Sequence, residues 1–338
     1  MKTSESALSA DSELMAHFVN RPDRALILHL QRLSTEDGPG IRTTIFFKGC
    51  PLKCEWCHNP ESISPKPQVH WLETRCIGCS LCIDVCPSGA LKKTDDTLIR
   101  DRSLCTSCGK CALECPSGAQ EMLGHETTLE ELMAELMKDR VYYDKSGGGV
   151  TLSGGEPLLQ PLFSASLLKA LKDKGIHTAI DTCGMCSPSA LERVLPYTDM
   201  VLYDIKEIDP ERHRQFTGQS NHLILQNLSL VRDYMQTHPD KVLWIRTPLI
   251  PGATANHGTI VKIGQYIQDT LGKTCQRWEL CAFNNLCRDK YRRLDLDWKY
   301  GSTQLISKQE LASLENIARN SGPDPSIIFA TGATRVES

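Results

Sequence analysis

No run of about eighteen apolar residues occurs in the 338-residue chain, which argues against a membrane-spanning helix. An excess of charge of either sign is missing too: 41 acidic against 38 basic side chains leave a net charge of -3, with an isoelectric point near 6.4. Bulk electrostatic binding to nucleic acid is therefore not expected, although a local basic patch stays open. The opening MKTSESALSADSELMAHFVNRPD has neither an apolar core nor a cleavage site, so no export signal is expected. Residues 1–23 read as a polar, mobile extension, either a tag remnant or a natural one. The GGG at 147–149 has no Walker lysine behind it and reads as a flexible turn, leaving nucleoside triphosphate binding unsupported. The ten histidines form no second ligand constellation.

Cysteine is the exception, with sixteen in the chain. Without an export signal they read as metal ligands in a reducing cytoplasm rather than as disulfides. Eleven of them fall between residues 50 and 115. In FFKGCPLKCEWCHNPE (46–61), Cys50, Cys54 and Cys57 are spaced C-x3-C-x2-C with no fourth cysteine at ligand distance. Structural zinc wants four ligands and a ferredoxin cubane four thiolates, so this loop is built for neither. A [4Fe-4S] cubane on three cysteines leaves one iron open to an outside ligand. CIGCSLCIDVCP (76–87) and CTSCGKCALECP (105–116) are an internal repeat, each C-x2-C-x2-C-x3-C-P. This resembles the bacterial two-cluster ferredoxin pattern, in which the last cysteine of one run serves the other cluster. It implies one [4Fe-4S] cluster on Cys76, Cys79, Cys82 and Cys115 and another on Cys86, Cys105, Cys108 and Cys111. Paired zinc knuckles are the alternative, strained by two intact copies that each end in Cys-Pro.

Beyond residue 125 the texture becomes alternating strands and helices, which implies βα units on a parallel sheet, open or barrel-like. TTLEELMAELMKDR opens with a capping-box pattern at Thr127 and Glu130, followed by apolar residues at helical spacing. Strand candidates are GVTLSG, HTAIDT, MVLYDIK, VLWIRTPLI, RWELCAF and SIIFAT, and IRTTIFFKG belongs to the same sheet. The cysteine-rich repeat is then an insertion. The expected organisation is 24–66 and 126–338 as one α/β barrel-like unit, with 67–125 inserted. In such barrels chemistry lies at the C-terminal strand ends. The cysteine loop, SGGEP (153–157), DTCG (181–184), DIK (204–206) and RTPLIPG (246–252) all fall at such ends.

C-x3-C-x2-C at a strand end followed by SGGEP resembles the radical S-adenosylmethionine (SAM) superfamily. With STEDGPGIR, HRQFTG and CHNPE, the chain from about residue 27 to 333 resembles the glycyl-radical enzyme activating enzymes. The resemblance implies a partial (β/α)6 barrel with a ferredoxin-like insertion. It also implies reductive cleavage of SAM to methionine and a 5′-deoxyadenosyl radical, which takes a hydrogen from a backbone glycine of a large partner enzyme. Cys50, Cys54 and Cys57 would ligate the catalytic cluster. Trp56, His58, Gly155, Asp204, Ile205 and Lys206 match SAM-contacting positions, and Asp181 with Thr182 a cofactor or monovalent-cation site. Asp37, in DGPG, would face the target glycine, and Arg246 would hold the partner's glycine loop.

Read by chemistry, Gly154 and Gly155 let backbone approach the cofactor, and Glu156 is expected to accept from its ammonium. Lys206 pairs with its carboxylate in the same reading, and Trp56 packs on adenine. The plain alternatives are a glycine turn, a solvated lysine and a packed indole. Asn284 stands where some members carry a SAM-contacting histidine, and an amide can still hydrogen-bond there. The two ferredoxin-type clusters would relay an electron from a flavodoxin or ferredoxin, or else scaffold partner docking. Cys183, Cys186, Cys275, Cys281 and Cys287 read mostly as buried free thiols. Competing classes are a radical SAM enzyme acting on a small molecule or an RNA, and a pure electron-transfer protein. A monomer is the default expectation.

Overall fold

A computed structural model describes residues 18, 20–94 and 97–335, so most of the expected N-terminal extension lies outside the described residues. The chain enters on β1 (Arg24–Ser34), which runs antiparallel to β2 (Arg42–Phe47). Every side chain of β2 is buried, as befits a strand covered on both faces. Six further strands continue the sheet: β8 (Gly149–Gly154), β9 (His177–Thr182), β10 (Met200–Asp204), β11 (Val242–Leu249), β12 (Cys275–Ala282) and β13 (Ile328–Thr331). From β2 through β8 to β13 they stand in chain order and pair parallel throughout. Consecutive order with right-handed crossovers places the helices on one face, the winding of a barrel rather than of a doubly wound sheet. The strands expected from the sequence are all present, and β13 is a seventh parallel member.

The segment after β2 leaves this sheet and returns to it. β7 (His125–Thr128) pairs antiparallel with β1, making an edge strand next to the start of the barrel. This moves the expected capping box by one residue. Thr127 sits opposite Ala25 in the ladder and is buried, so Thr128 becomes the N-cap of the Leu129–Met137 helix and Glu131 closes the box. The sheet's alternation, with period two, overrides the local motif.

Between β2 and β7 lie two small ladders, β3 (Gln68–Trp71) with β6 (Gln120–Leu123), and β4 (Leu91–Lys93) with β5 (Leu98–Arg100). The sequence repeat is a backbone repeat. Gly78 and Ser107 are both left-handed (φ 72° and 53°), as are Ser80 and Gly109 (64° and 77°), each pair leading into a four-residue helix. Arg102 rivets this unit to the barrel by donating to Val69 O (2.9 Å), Arg293 O (2.8 Å) and Asp295 Oδ2 (2.8 Å).

Gly147 is the turn expected of the GGG segment, left-handed at φ 68° with open space around it, but Gly148 and Gly149 are packed contacts. A Cβ on Gly148 would stand 1.9 Å from Ile41 O, and one on Gly149 1.9 Å from His177 O. Gly148 lets the end of the DGPG loop lie across the start of β8, and Gly149 lets β9 approach it.

Candidate active site

The loop after β2 is held on all sides by backbone hydrogen bonds. Gly49 N donates to Ser62 O (2.7 Å), Lys53 N to Thr217 O (2.8 Å) and Glu55 N to Phe216 O (3.0 Å). Behind it, Tyr291 Oη donates to Cys57 O (2.9 Å) and Trp298 Nε1 to Glu55 O (3.1 Å). Lys290 bridges Asn59 Oδ1 (2.7 Å) and the buried Glu61 carboxylate (2.6 Å). The segment 284–300 therefore clamps the cysteine loop, a role its sequence did not disclose.

Cys50, Cys54 and Cys57 face one cavity of about 370 Å3, within the usual range for small-molecule sites. The same cavity touches the ends of β8 (Ser153, Gly154, Gly155), β9 (Asp181, Thr182, Cys183), β10 (Asp204, Lys206), β11 (Arg246, Pro248) and β12 (Cys281, Ala282). Strands β2 and β12 are five steps apart at about 4.8 Å each, so one cavity reaching both requires a curled sheet. Trp56 and His58 also line it. Trp56 is 95% buried against Phe216 and Tyr300.

Asp37 reaches the cavity from the opposite end of the strands. Its loop joins β1 to the start of β2, and its Oδ2 accepts from Ser34 Oγ (2.7 Å) and Thr44 Oγ1 (2.6 Å). Asp181 accepts from Ser153 Oγ (2.7 Å) and faces Arg246 at 3.6 Å. Burial pushes the Asp181 carboxyl up to about 6 against the pull of Arg246. Arg246 also faces Glu279 at 3.5 Å; burial works against its charge, but Asp181 and the neighbouring acids more than offset it. Lys206 pairs with Asp204, and that carboxylate keeps the ammonium protonated despite burial.

Three residues expected at the cofactor do not line this cavity. Glu156 is fully buried and does not face the cavity; its carboxylate accepts from Thr182 Oγ1 (2.9 Å), Cys183 N (2.9 Å) and Leu158 N (3.1 Å). Ile205 is buried in the sheet, its N–H donating to Arg246 O (2.9 Å). The Asn284 side chain accepts from Leu286 N (3.2 Å). Gly154 and Gly155 line the cavity, but their lack of a side chain answers to protein: a Cβ would meet Phe47 N at 2.3 Å or Gly49 O at 2.1 Å. Cys183, read from sequence as a spare thiol, lines the cavity together with Cys50. Only its place in DTCG hinted at this.

The donor set suits an iron-sulfur cluster. Burial pushes Cys54 up to about 12 and raises Cys57 as well, so these thiols become thiolates only when a metal takes them. The buried His58 Nε2, at the cavity wall, has no protein partner. Among the described residues no three His, Cys, Asp or Glu side chains converge as around a single ion. A cubane does not require that, because each iron takes its own ligand.

Residues 44–262 match the model of the radical SAM superfamily. The chain belongs to the radical SAM superfamily. The trans-4-hydroxy-L-proline dehydratase activating enzyme of Clostridioides difficile is 41% identical over 293 residues, covering 86% of this chain and 95% of that one. The isethionate sulfite-lyase activating enzyme of Nitratidesulfovibrio vulgaris is 38% identical, covering 86% and 94%. The choline trimethylamine-lyase activating enzyme of Oleidesulfovibrio alaskensis is 37% identical, covering 88% and 95%. Among the described residues no helix is long and apolar enough to cross a membrane.

Proposed function

We infer that this radical SAM protein is an activating enzyme that makes a glycyl radical on a partner enzyme. One SAM and one electron are consumed per radical, leaving methionine and 5′-deoxyadenosine. The observation that carries the reading is one loop that presents Cys50, Cys54 and Cys57 to a cavity shared by five further strand ends, two of which also bring Cys183 and Cys281 to its wall. Cys50, Cys54 and Cys57 would hold a [4Fe-4S] cluster, which when bound would supply the low-potential electron for cleavage of the sulfonium. Lys206 and Asp204 offer opposite charges to the carboxylate and ammonium of SAM. Asp181, Thr182 and Ser153 offer oxygens to its ribose or to a monovalent cation. Trp56 and His58 close the cavity against water. Asp37, from the loop between β1 and β2, and Arg246, from β11, frame the cavity and are suited to orient the incoming glycine segment.

The relatives' names point to partners of the dehydratase and lyase kinds. The inserted repeat reads as a ferredoxin-like unit with two [4Fe-4S] clusters that pass electrons inward from a flavodoxin or ferredoxin. Its support is the paired backbone geometry around both cysteine runs. The test is anaerobic incubation of reduced, cluster-loaded protein with SAM and glycyl-radical enzymes of these kinds, read by electron paramagnetic resonance. A glycyl radical formed on one of them with one 5′-deoxyadenosine each is the expected result. Abundant 5′-deoxyadenosine with no radical on any of them would move the chain to small-molecule chemistry.

A further inference from the structure

The two halves of the inserted repeat match in backbone but differ at one side chain beside the thiols. Arg100 stands five residues before Cys105, and Trp71 stands five before Cys76. Their ladder partners are related in the same way: Leu91 opposite Arg100 lies five after Cys86, and Gln120 opposite Trp71 lies five after Cys115. Arg100 Nη1 donates to Cys105 Sγ (3.6 Å) and Cys111 Sγ (3.9 Å), two cysteines assigned to one cluster by spacing. Its Nη2 is held by the side chain of the buried Gln120. At the mirrored place the Trp71 indole borders a recess with Cys76 and Cys82, two cysteines of the other set, and its buried N–H has no partner. Lys93 and Glu73 also border that recess; both are exposed and of opposite sign.

We propose that Arg100 splits the reduction potentials of the two inserted clusters, making the cluster on Cys86, Cys105, Cys108 and Cys111 the more easily reduced. The proposal rests on the two-cluster reading of the insertion given above. Reduction adds one negative charge to a cluster, and potentials follow net charge and hydrogen bonds to the sulfurs. A guanidinium donating to two thiolates favours the reduced form by both effects, and it cannot lose its proton. The indole offers at most a neutral donor. Incoming electrons then collect first on the Arg100 cluster, which gives an otherwise symmetric pair a direction.

The test uses the full chain with Cys50, Cys54 and Cys57 all changed to alanine, so that only the inserted clusters report. Iron content comes first. About eight irons per chain support two clusters, whereas none would sink the cluster reading itself and the proposal with it. With eight irons, redox-poised electron paramagnetic resonance is expected to resolve two reduction steps. Arg100→Met should lower the upper step by at least tenfold in its reduction constant, about 59 mV for one electron, and leave the lower step in place. Trp71→Arg should raise the lower step toward the upper. Should Arg100→Met fail to hold iron, Arg100→Lys and Trp71→Arg decide. Two steps that coincide without the substitutions, or a lower step unmoved by Trp71→Arg, would overturn the proposal.

Discussion

The carboxylate of Glu156 satisfies a hydroxyl and two backbone N–H groups where β8 and β9 end. Glu156→Gln turns one of those acceptors into a donor facing a donor, which costs about 1–3 kcal/mol. Thermal unfolding of the apoprotein should detect that loss, while SAM affinity of the folded, cluster-loaded variant should change little. Affinity lost with stability unchanged would return Glu156 to the ligand role its motif suggests. Asp181 behaves differently because it faces the cavity. Its carboxyl titrates near 6, so it is an anion at neutral pH and loses that charge as the pH falls through 6. SAM binding by the loaded protein is expected to weaken below that point, and Asp181→Asn should flatten the profile. Spacing singled out the three thiols, and residue type with the family resemblance singled out Asp181, Lys206 and Arg246; the structure brings all six to one cavity. The directions of Glu156 and Asn284 were not legible, because one carboxylate or amide can face either of two ways from a strand-end loop, and only the packed neighbours decide which.

At the scale of elements, the parallel strands were legible as apolar runs between helical stretches, and their ends located the cavity. β1 and β7 were less legible. β1 alternates half-buried and exposed residues only in its second half, and the four-residue β7 exists because β1 offers it an edge. The GGG segment carries the clearest prediction here. Gly148→Ala places a methyl against Ile41 O, which costs about 1–3 kcal/mol or more and pushes the DGPG loop from its seat. Since that loop carries Asp37, the ratio of glycyl radical formed to 5′-deoxyadenosine released should fall, with SAM cleavage itself largely kept. An equal fall in both would place the loop's role in folding alone. The clamp 284–300 was opaque in sequence because its contacts to residues 55–61 span more than 200 positions.

At the scale of the molecule, a curled sheet brings residues from six strand ends to one cavity, and the insertion leaves and rejoins that sheet beside it. Arg102 fixes the insertion to the 293–295 turn, and the same stretch of chain clamps the cysteine loop. Any path for electrons from the repeat to the cavity therefore runs through a braced unit rather than across a free linker. The measurement that tests the account most directly is made anaerobically on reconstituted, reduced protein given SAM, with iron and 5′-deoxyadenosine counted for the wild type and for Cys54→Ala. The account predicts about twelve irons and steady 5′-deoxyadenosine from the wild type. From Cys54→Ala it predicts about eight irons and no 5′-deoxyadenosine. Wild-type protein that binds its iron yet never cleaves SAM, or Cys54→Ala that cleaves it as well as the wild type, would contradict it.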